Sequence, residues 1–439
     1  MSIPYTVENK SKQDLNLEPA FYGPVMEGHA AQGTIPDGWL PEGAERPKLF
    51  EPVVVPNGSG TLELKNRIVL PPMCQYSSND GFPTPYHLAH LGQFVLRGYA
   101  AVIAEATAVV SEGRISPEDL GIWKEEHVKA HAGLVAGLKS FSGGTKIGLQ
   151  IAHAGRKASD WSPFYVGKRD TAYATEKNNG WPSKVAAPSP IAYADGHIVP
   201  HELTVAEIDE VIEAFVAAAG RAFRAGYDFI QVHAAHGYLL SSFFSPKTNR
   251  RMDEYGGSFE NRTRLLRTVV QRIRSAFPDK GLWVRMNTTD AIEYTGEESW
   301  TLEDSKKLAP LLEKDGVDVL EMSAGGIVPY NRFTRDAGYM ADWAAEIKAI
   351  GFQRMLVCAV GYLGGGTPED PNATGGIAEY FVKEKHIDLI SIGRESLRRP
   401  TWVADAAQSL AKIRPVLIPQ ADYVESAFSR AWRNADSGK

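Results

Sequence analysis

Short apolar runs recur along the chain, and between them the apolar positions fall into the spacing of a helix. The runs are Arg67–Leu70, Ala101–Ala106, Lys146–Ile151, Phe229–Val232, Leu282–Met286, Val317–Met322, Met355–Val360 and Asp388–Ile392. Short runs with little polar alternation are the pattern of strands buried on both faces. The clearest helix opens at Thr204, with Glu207 three residues on as a capping box. It then lays Val205, Ile208, Val211, Ile212, Phe215, Val216, Ala219 and Phe223 along one stripe. Gly226 is placed to stop it. Thr301 and Asp304 offer a similar cap to the helix before Val317. Strand and helix alternating eight times predict an α/β fold, a parallel (β/α)8 TIM barrel.

Two regions fall outside this alternation. Residues 1 to about 65 are rich in Pro and Gly, and within them Val53–Val55, a Pro-Asn-Gly turn and Leu62–Leu64 read as a hairpin. The expected role is an arm with a lid closing the barrel's amino end. Asp160–Pro200 is long, turn-rich and aromatic and follows the third strand, so it should cover the active face as a substrate lid. The expected organisation is an N-terminal arm over 1–48, a barrel over 49–412 with the lid inserted at about 160–200, and a tail over 413–439. No internal repeat interrupts it.

Composition narrows the partners. Lys and Arg number 47 against 53 Asp and Glu, a net charge of −6 with no basic run, which argues against nucleic acid or an anionic membrane surface. A small-molecule substrate is expected. The amino terminus has no signal pattern, and no segment approaches the ~20 apolar residues of a membrane span, so a cytoplasmic enzyme is the expectation. Of the two cysteines, Cys74 follows the first strand and Cys358 lies in the seventh. With the eighth strand between them the backbones stand ~9–10 Å apart, beyond the ~7 Å reach of a disulfide. Both should be free thiols.

Chemistry concentrates in HAAHGYLLSSFFSPKTNRRMDEYGGSFENR, His233 to Arg262, just beyond the fourth apolar run. On a barrel, His233, His236 and Tyr238 crowd the carboxyl rim, where such enzymes place their reactions. Two neutral imidazoles can each donate an N–H to one carbonyl oxygen, and a phenol can supply a proton. The plainer readings are a hydrogen-bonded core histidine and a packing aromatic. A metal site is not expected, because no third ligand stands at ligand spacing. After the seventh strand comes GYLGGG, Gly361 to Gly366, and the eighth runs into SIGRES, where Gly393 and Arg394 open a helix. These two loops bind phosphate in many barrels, since glycine amides and a helix N-terminus converge N–H donors there and Arg394 adds a fork. Read alone, the glycines also serve as simple turns.

From about Leu49 to Trp432 the chain resembles the old yellow enzymes, FMN-dependent ene-reductases on a (β/α)8 barrel. The His233–Arg262 segment carries the likeness, supported in order by NRIVLPPMCQYS, AEATAV, GRISPEDLGIW, LQIAHAGRKA and SIGRESLRRP. Cys74 within PPMCQYS resembles the cysteine-containing, thermophilic-like branch. The resemblance implies that Pro72, Met73, Cys74, Ala106, Gln150, Arg285, Ser323, Gly361, Gly393 and Arg394 contact FMN. Gln150 suits the pyrimidine edge of the ring, and Arg285 suits the side that becomes anionic on reduction.

The resemblance further implies two half-reactions. NADPH or NADH reduces the flavin, and an α,β-unsaturated ketone or aldehyde is then reduced at its C=C bond. His233 and His236 would hold the carbonyl oxygen, Tyr238 would donate a proton, Cys74 would tune the flavin and Tyr76 would line the pocket. The tail ADYVESAFSRAW resembles one that reaches into a neighbouring subunit, so a homodimer or dimer-based oligomer is expected, with Arg430 donated across the interface beside Trp432. A 2,4-dienoyl-CoA reductase needs more cysteines for its cluster than this chain has. A flavin-dependent isomerase, a redox step in a biosynthetic pathway and a flavin-free barrel hydrolase or lyase remain as alternatives.

Overall fold

All eight apolar runs are strands, and they close into one parallel barrel in chain order. The structure is a computed structural model, and it describes residues 31–413 except 41, 335, 368 and 369. The barrel strands are Ile68–Leu70, Ala101–Ala108, Lys146–Ala152, Phe229–Ala234, Gly281–Asn287, Val319–Ser323, Leu356–Val360 and Leu389–Ser391. The fourth strand runs further than its apolar core indicated, so His233 belongs to the strand rather than to the loop beyond it.

The helices between the strands begin where their capping chemistry sets them. Thr204 Oγ1 accepts from Glu207 N at 3.2 Å and Glu207 Oε2 accepts from Thr204 N at 2.7 Å, opening the helix Val205–Arg224. Thr301 and Asp304 form the same reciprocal cap for Leu302–Asp315, and Gly316 ends that helix in the left-handed region. No helix among the described residues is long and apolar enough to cross a membrane.

Alternation along the strands sorts the barrel interior into layers. At the amino end Phe229 and Trp283 stack at 4.1 Å between ring centroids, with Val69, Ile103 and Val319 in the same cluster. Gly148 makes room for that stack, because a Cβ there would lie 2.4 Å from the Phe229 ring. The hairpin Val53–Asn57 with Gly60–Leu64 covers this end, sending Val55 and Leu64 into the same apolar cluster. It is held at its turn by Asp318, which accepts from Gly58 N and from Arg274 Nη2 at 2.6 Å. One step towards the carboxyl end, Gln150, Gln231 and Glu321 are buried. Above them stand His233, Arg285 and Ser323.

The segment 160–200 contains two single-turn 3-10 helices, Glu176–Asn178 and Pro182–Lys184. A two-residue strand, Ala186–Ala187, pairs in parallel with His201–Glu202.

Candidate active site

Three residues of the expected cluster meet at the carboxyl mouth. The rings of His233 and His236 lie 5.1 Å apart, and that of Tyr238 lies 4.9 Å from His233 and 6.5 Å from His236. The backbone N–H of Ala235 donates to His233 Nδ1 at 3.2 Å, so in the neutral ring the proton sits on Nε2. His236 Nε2 sits 2.7 Å from Ser323 Oγ, a contact in which the imidazole or the hydroxyl donates according to the tautomer. Burial, reinforced by the charges of Arg285 and Lys157, pushes both imidazoles well below their ordinary value. They are therefore neutral N–H donors across the neutral pH range.

His236 adopts a left-handed backbone, φ 61°, which an L side chain tolerates only when its surroundings hold it. Asn287 Oδ1 accepts from its N–H at 3.0 Å, and Lys157 Nζ donates to its carbonyl at 3.1 Å. Asn287 and Lys157 had no role in the expected site. Lys157 lies within LQIAHAGRKA, but nothing in the sequence shows that its ammonium sits 5.0 Å from the Tyr238 ring and 4.6 Å from that of Tyr193 in the 160–200 segment. Burial lowers it to about 8.

Burial, with the negative groups nearby, raises the Tyr238 phenol well above its ordinary value, so it remains protonated. Cys74 lies half-buried beside Ile115, Ala154 and Trp181, and burial raises its thiol as well, which makes it a poor nucleophile. Both cysteines are free. Tyr76 meets Phe164 of the 160–200 segment edge-on at 5.9 Å. No cluster of three metal-ligating side chains occurs among the described residues.

A cavity of about 1030 Å³ opens beside His236, while His233, Cys74 and Gln150 are not among its lining residues. Pro72, Met73, His236, Arg285, Ser323, Gly361, Gly393 and Arg394 all line it. Ala106 and Tyr238 instead border a small void that Asp119 also reaches. Gly361 has φ 111°, and a Cβ there would sit 2.6 Å from Met340 Sδ. Arg394 lies over the Tyr362 ring at 4.5 Å. The helix it opens is only Arg394–Arg398, so the two loops offer glycine amides and a guanidinium more than a long helix dipole. Arg285 is buried, with its Nε lacking any hydrogen-bond partner. A cavity with glycine loops and a cation at one end and an unspent guanidinium N–H at the other suits a phosphorylated, flat, hydrogen-bonding ligand. FMN fits that description.

The profile of the NADH:flavin oxidoreductase / NADH oxidase family matches residues 48–412. The chain is 39% identical over 397 residues to NADH:flavin oxidoreductase FG08077 of Gibberella zeae, covering 88% of this chain and 91% of that one. It is 37% identical to an NADPH dehydrogenase of Bacillus subtilis, over 83% of this chain and 95% of the relative. Among solved structures, morphinone reductase superposes with a TM-score of 0.65 at 24% identity, covering 86% of this chain and 93% of that one. The chain belongs to the NADH:flavin oxidoreductase / NADH oxidase family, within which its likeness to the old yellow enzymes falls. Its cofactor is FMN, and its activity is flavin-dependent oxidoreduction with NADH or NADPH as reductant. Arg430 and Trp432 lie outside the described residues.

Proposed function

We propose that this enzyme reduces the C=C bond of α,β-unsaturated ketones and aldehydes. The observation that carries the reading is the pair of buried, neutral imidazoles with rings 5.1 Å apart, His233 with its Nε2–H free and His236 at the cavity wall. Bound FMN, once reduced by NADPH or NADH, would supply hydride to the substrate's β carbon. Pro72, Met73, Cys74, Ala106, Gln150, Arg285, Ser323, Gly361, Gly393 and Arg394 would hold it, with Arg394 and the glycine loops taking its phosphate. Negative charge grows on the carbonyl oxygen as hydride arrives, so donors aimed there bind the transition state more tightly than the ground state. His233 and His236 are those donors. Tyr238, kept protonated by burial, delivers a proton to the α carbon.

Tyr76, with Phe164 against it, bounds the substrate, and the lid over 160–200 limits its size. We further propose a homodimer or dimer-based oligomer in which Arg430 reaches the partner's site. Truncation after Val424 should then weaken the dimer and enone binding together. The function itself is tested by anaerobic stopped-flow, in which NADPH or NADH reduces the bound flavin and an enone is mixed in. Rapid reoxidation with a saturated ketone as product is expected, whereas a flavin that enones leave reduced would overturn the reading.

A further inference from the structure

Beneath the site lies a buried carboxylate that this chemistry does not use. Glu321 has no solvent exposure. Its Oε2 accepts from Gln231 Nε2 at 2.6 Å, and Gln231 Oε1 accepts from Gln150 Nε2 at 2.8 Å. Gln150 and Gln231 are register partners on the third and fourth strands, while Glu321 reaches Gln231 across the interior from the sixth. The other oxygen, Oε1, has no hydrogen bond and lies 4.0 Å from the equally unpartnered Nε of Arg285. A buried carboxylate with one oxygen left without a hydrogen bond is costly.

The donor inventory gives the chain of bonds a direction. An ionised carboxylate only accepts, so Gln231 must turn its NH2 group to Glu321 and its carbonyl to Gln150. Gln150 must then offer its NH2 to Gln231, which leaves its carbonyl oxygen as its free group. Without the carboxylate, both amides could flip together and present a donor instead.

We propose that Glu321 is a positioning residue for FMN. Through Gln231 it locks the Gln150 amide with its acceptor outward, where the imide N–H of a flavin requires one, and it offsets the charge that Arg285 presents to the ring. The inference rests on the proposed contacts of Gln150 and Arg285 with FMN.

Glu321→Gln in the holoenzyme tests it. The amide keeps the shape, removes the direction and leaves Arg285 without its counter-charge. Oxidised FMN should bind about tenfold more weakly, and the preference for reduced over oxidised flavin should rise about tenfold, which is about 30 mV in midpoint potential for a two-electron couple. The exchanged pair Gln231→Glu with Glu321→Gln returns an acceptor-only group to Gln150. It should restore oxidised-FMN affinity while the potential stays raised, because the carboxylate has moved away from Arg285. A folded Glu321→Gln protein with unchanged affinity and potential overturns the proposal, as does an exchanged pair no better than the single variant. Should Glu321→Gln not fold, wild-type enzyme loaded with FMN carrying 15N at the imide nitrogen decides. A slowly exchanging, hydrogen-bonded N–H is required, and a freely exchanging one overturns the relay. Wild-type protein that holds no FMN would instead be a failure of the underlying reading.

Discussion

At the amino end of the barrel interior Phe229 and Trp283 stack under an apolar hairpin, whereas two to four residues further along the same strands His233 and Arg285 stand among polar groups. The floor follows packing, its one exception being the unpartnered indole N–H of Trp283: burying a large side chain contributes about 1.5–3 kcal/mol, and Gly148 yields its own side chain to the Phe229 ring. The mouth runs the other way. Arg285 Nε and Glu321 Oε1 are buried without partners, at a cost of about 1–3 kcal/mol each, and His236 holds a strained backbone. One barrel thus gathers stability at one end and spends part of it at the other on groups poised for a ligand. If that division is real, substitutions at the two ends should fail in different assays.

The largest effect expected is on the floor. Trp283→Ala should cost about 3–5 kcal/mol of stability, read as a lower denaturant midpoint, while surviving folded protein keeps its flavin spectrum and rates. Trp283→Phe, which keeps the stack and removes an indole N–H that has no partner, should cost much less. A Trp283→Ala protein of full stability would break the comparison from this side.

At the mouth, Arg394→Glu should weaken FMN binding about 10³-fold, since it removes a charge-assisted partner of the phosphate and substitutes a like charge. Equilibrium dialysis of the refolded apoprotein measures this, and the denaturant midpoint without FMN should barely move. His233→Ala and His236→Ala should each slow reoxidation by enones about 10²-fold, with reduction by nicotinamide much less affected. Tyr238→Phe should lower enone turnover by about tenfold or more, because only the hydroxyl is lost and a water can deliver the proton less well. Unchanged reoxidation in the histidine variants would remove the oxygen clamp from the mechanism.

Titration sharpens the contrast on a smaller scale. Burial holds His90, His131 and His153 at about 4 and His233 and His236 well below 6.5. Between those values and 6.5 the unfolded chain binds protons that the fold refuses, so each imidazole makes stability rise with pH, by at most about 1.4 kcal/mol per pH unit. Asp119 and Asp290, raised by burial to about 7, act oppositely, because the fold keeps protons that the unfolded chain releases above 3.8. Burial lowers His127 as well and raises Asp160 and Asp342, so six imidazoles stand against four carboxyls. Denaturant midpoints should therefore fall as pH drops from 6.5 towards 4, and a midpoint that rises over that window would contradict the burial of these rings.

The sequence carried the fold because each strand is apolar on both faces and each cap is a local pattern, as at Thr204 and Thr301. It carried His233, His236 and Tyr238 because they cluster in one segment. It did not deliver Lys157, Asn287 or the Gln231–Glu321 relay, whose roles depend on neighbours more than fifty residues away. A signal was nevertheless present: Gln231 and Glu321 are polar residues in otherwise apolar strands, two positions before His233 and Ser323, and strand alternation puts each pair on one face. The 160–200 segment resisted because its course follows tertiary contacts such as Tyr76 with Phe164, which no periodicity announces.

The smallest effect belongs to Cys74, which stands where the two regimes meet. Its thiol packs among apolar side chains, as the floor residues do, yet it stands beside Tyr238 at the mouth. Burial raises its pKa, so it is a neutral, weak hydrogen-bond donor rather than a thiolate. Cys74→Ala should fold, retain FMN and sustain turnover, while shifting the flavin midpoint potential by an amount worth less than about 1 kcal/mol, the range of a weak neutral hydrogen bond. Spectroelectrochemistry of the bound flavin reads that shift. Loss of all turnover with FMN still bound would instead make the thiol a reacting group and move Cys74 wholly to the side of the mouth.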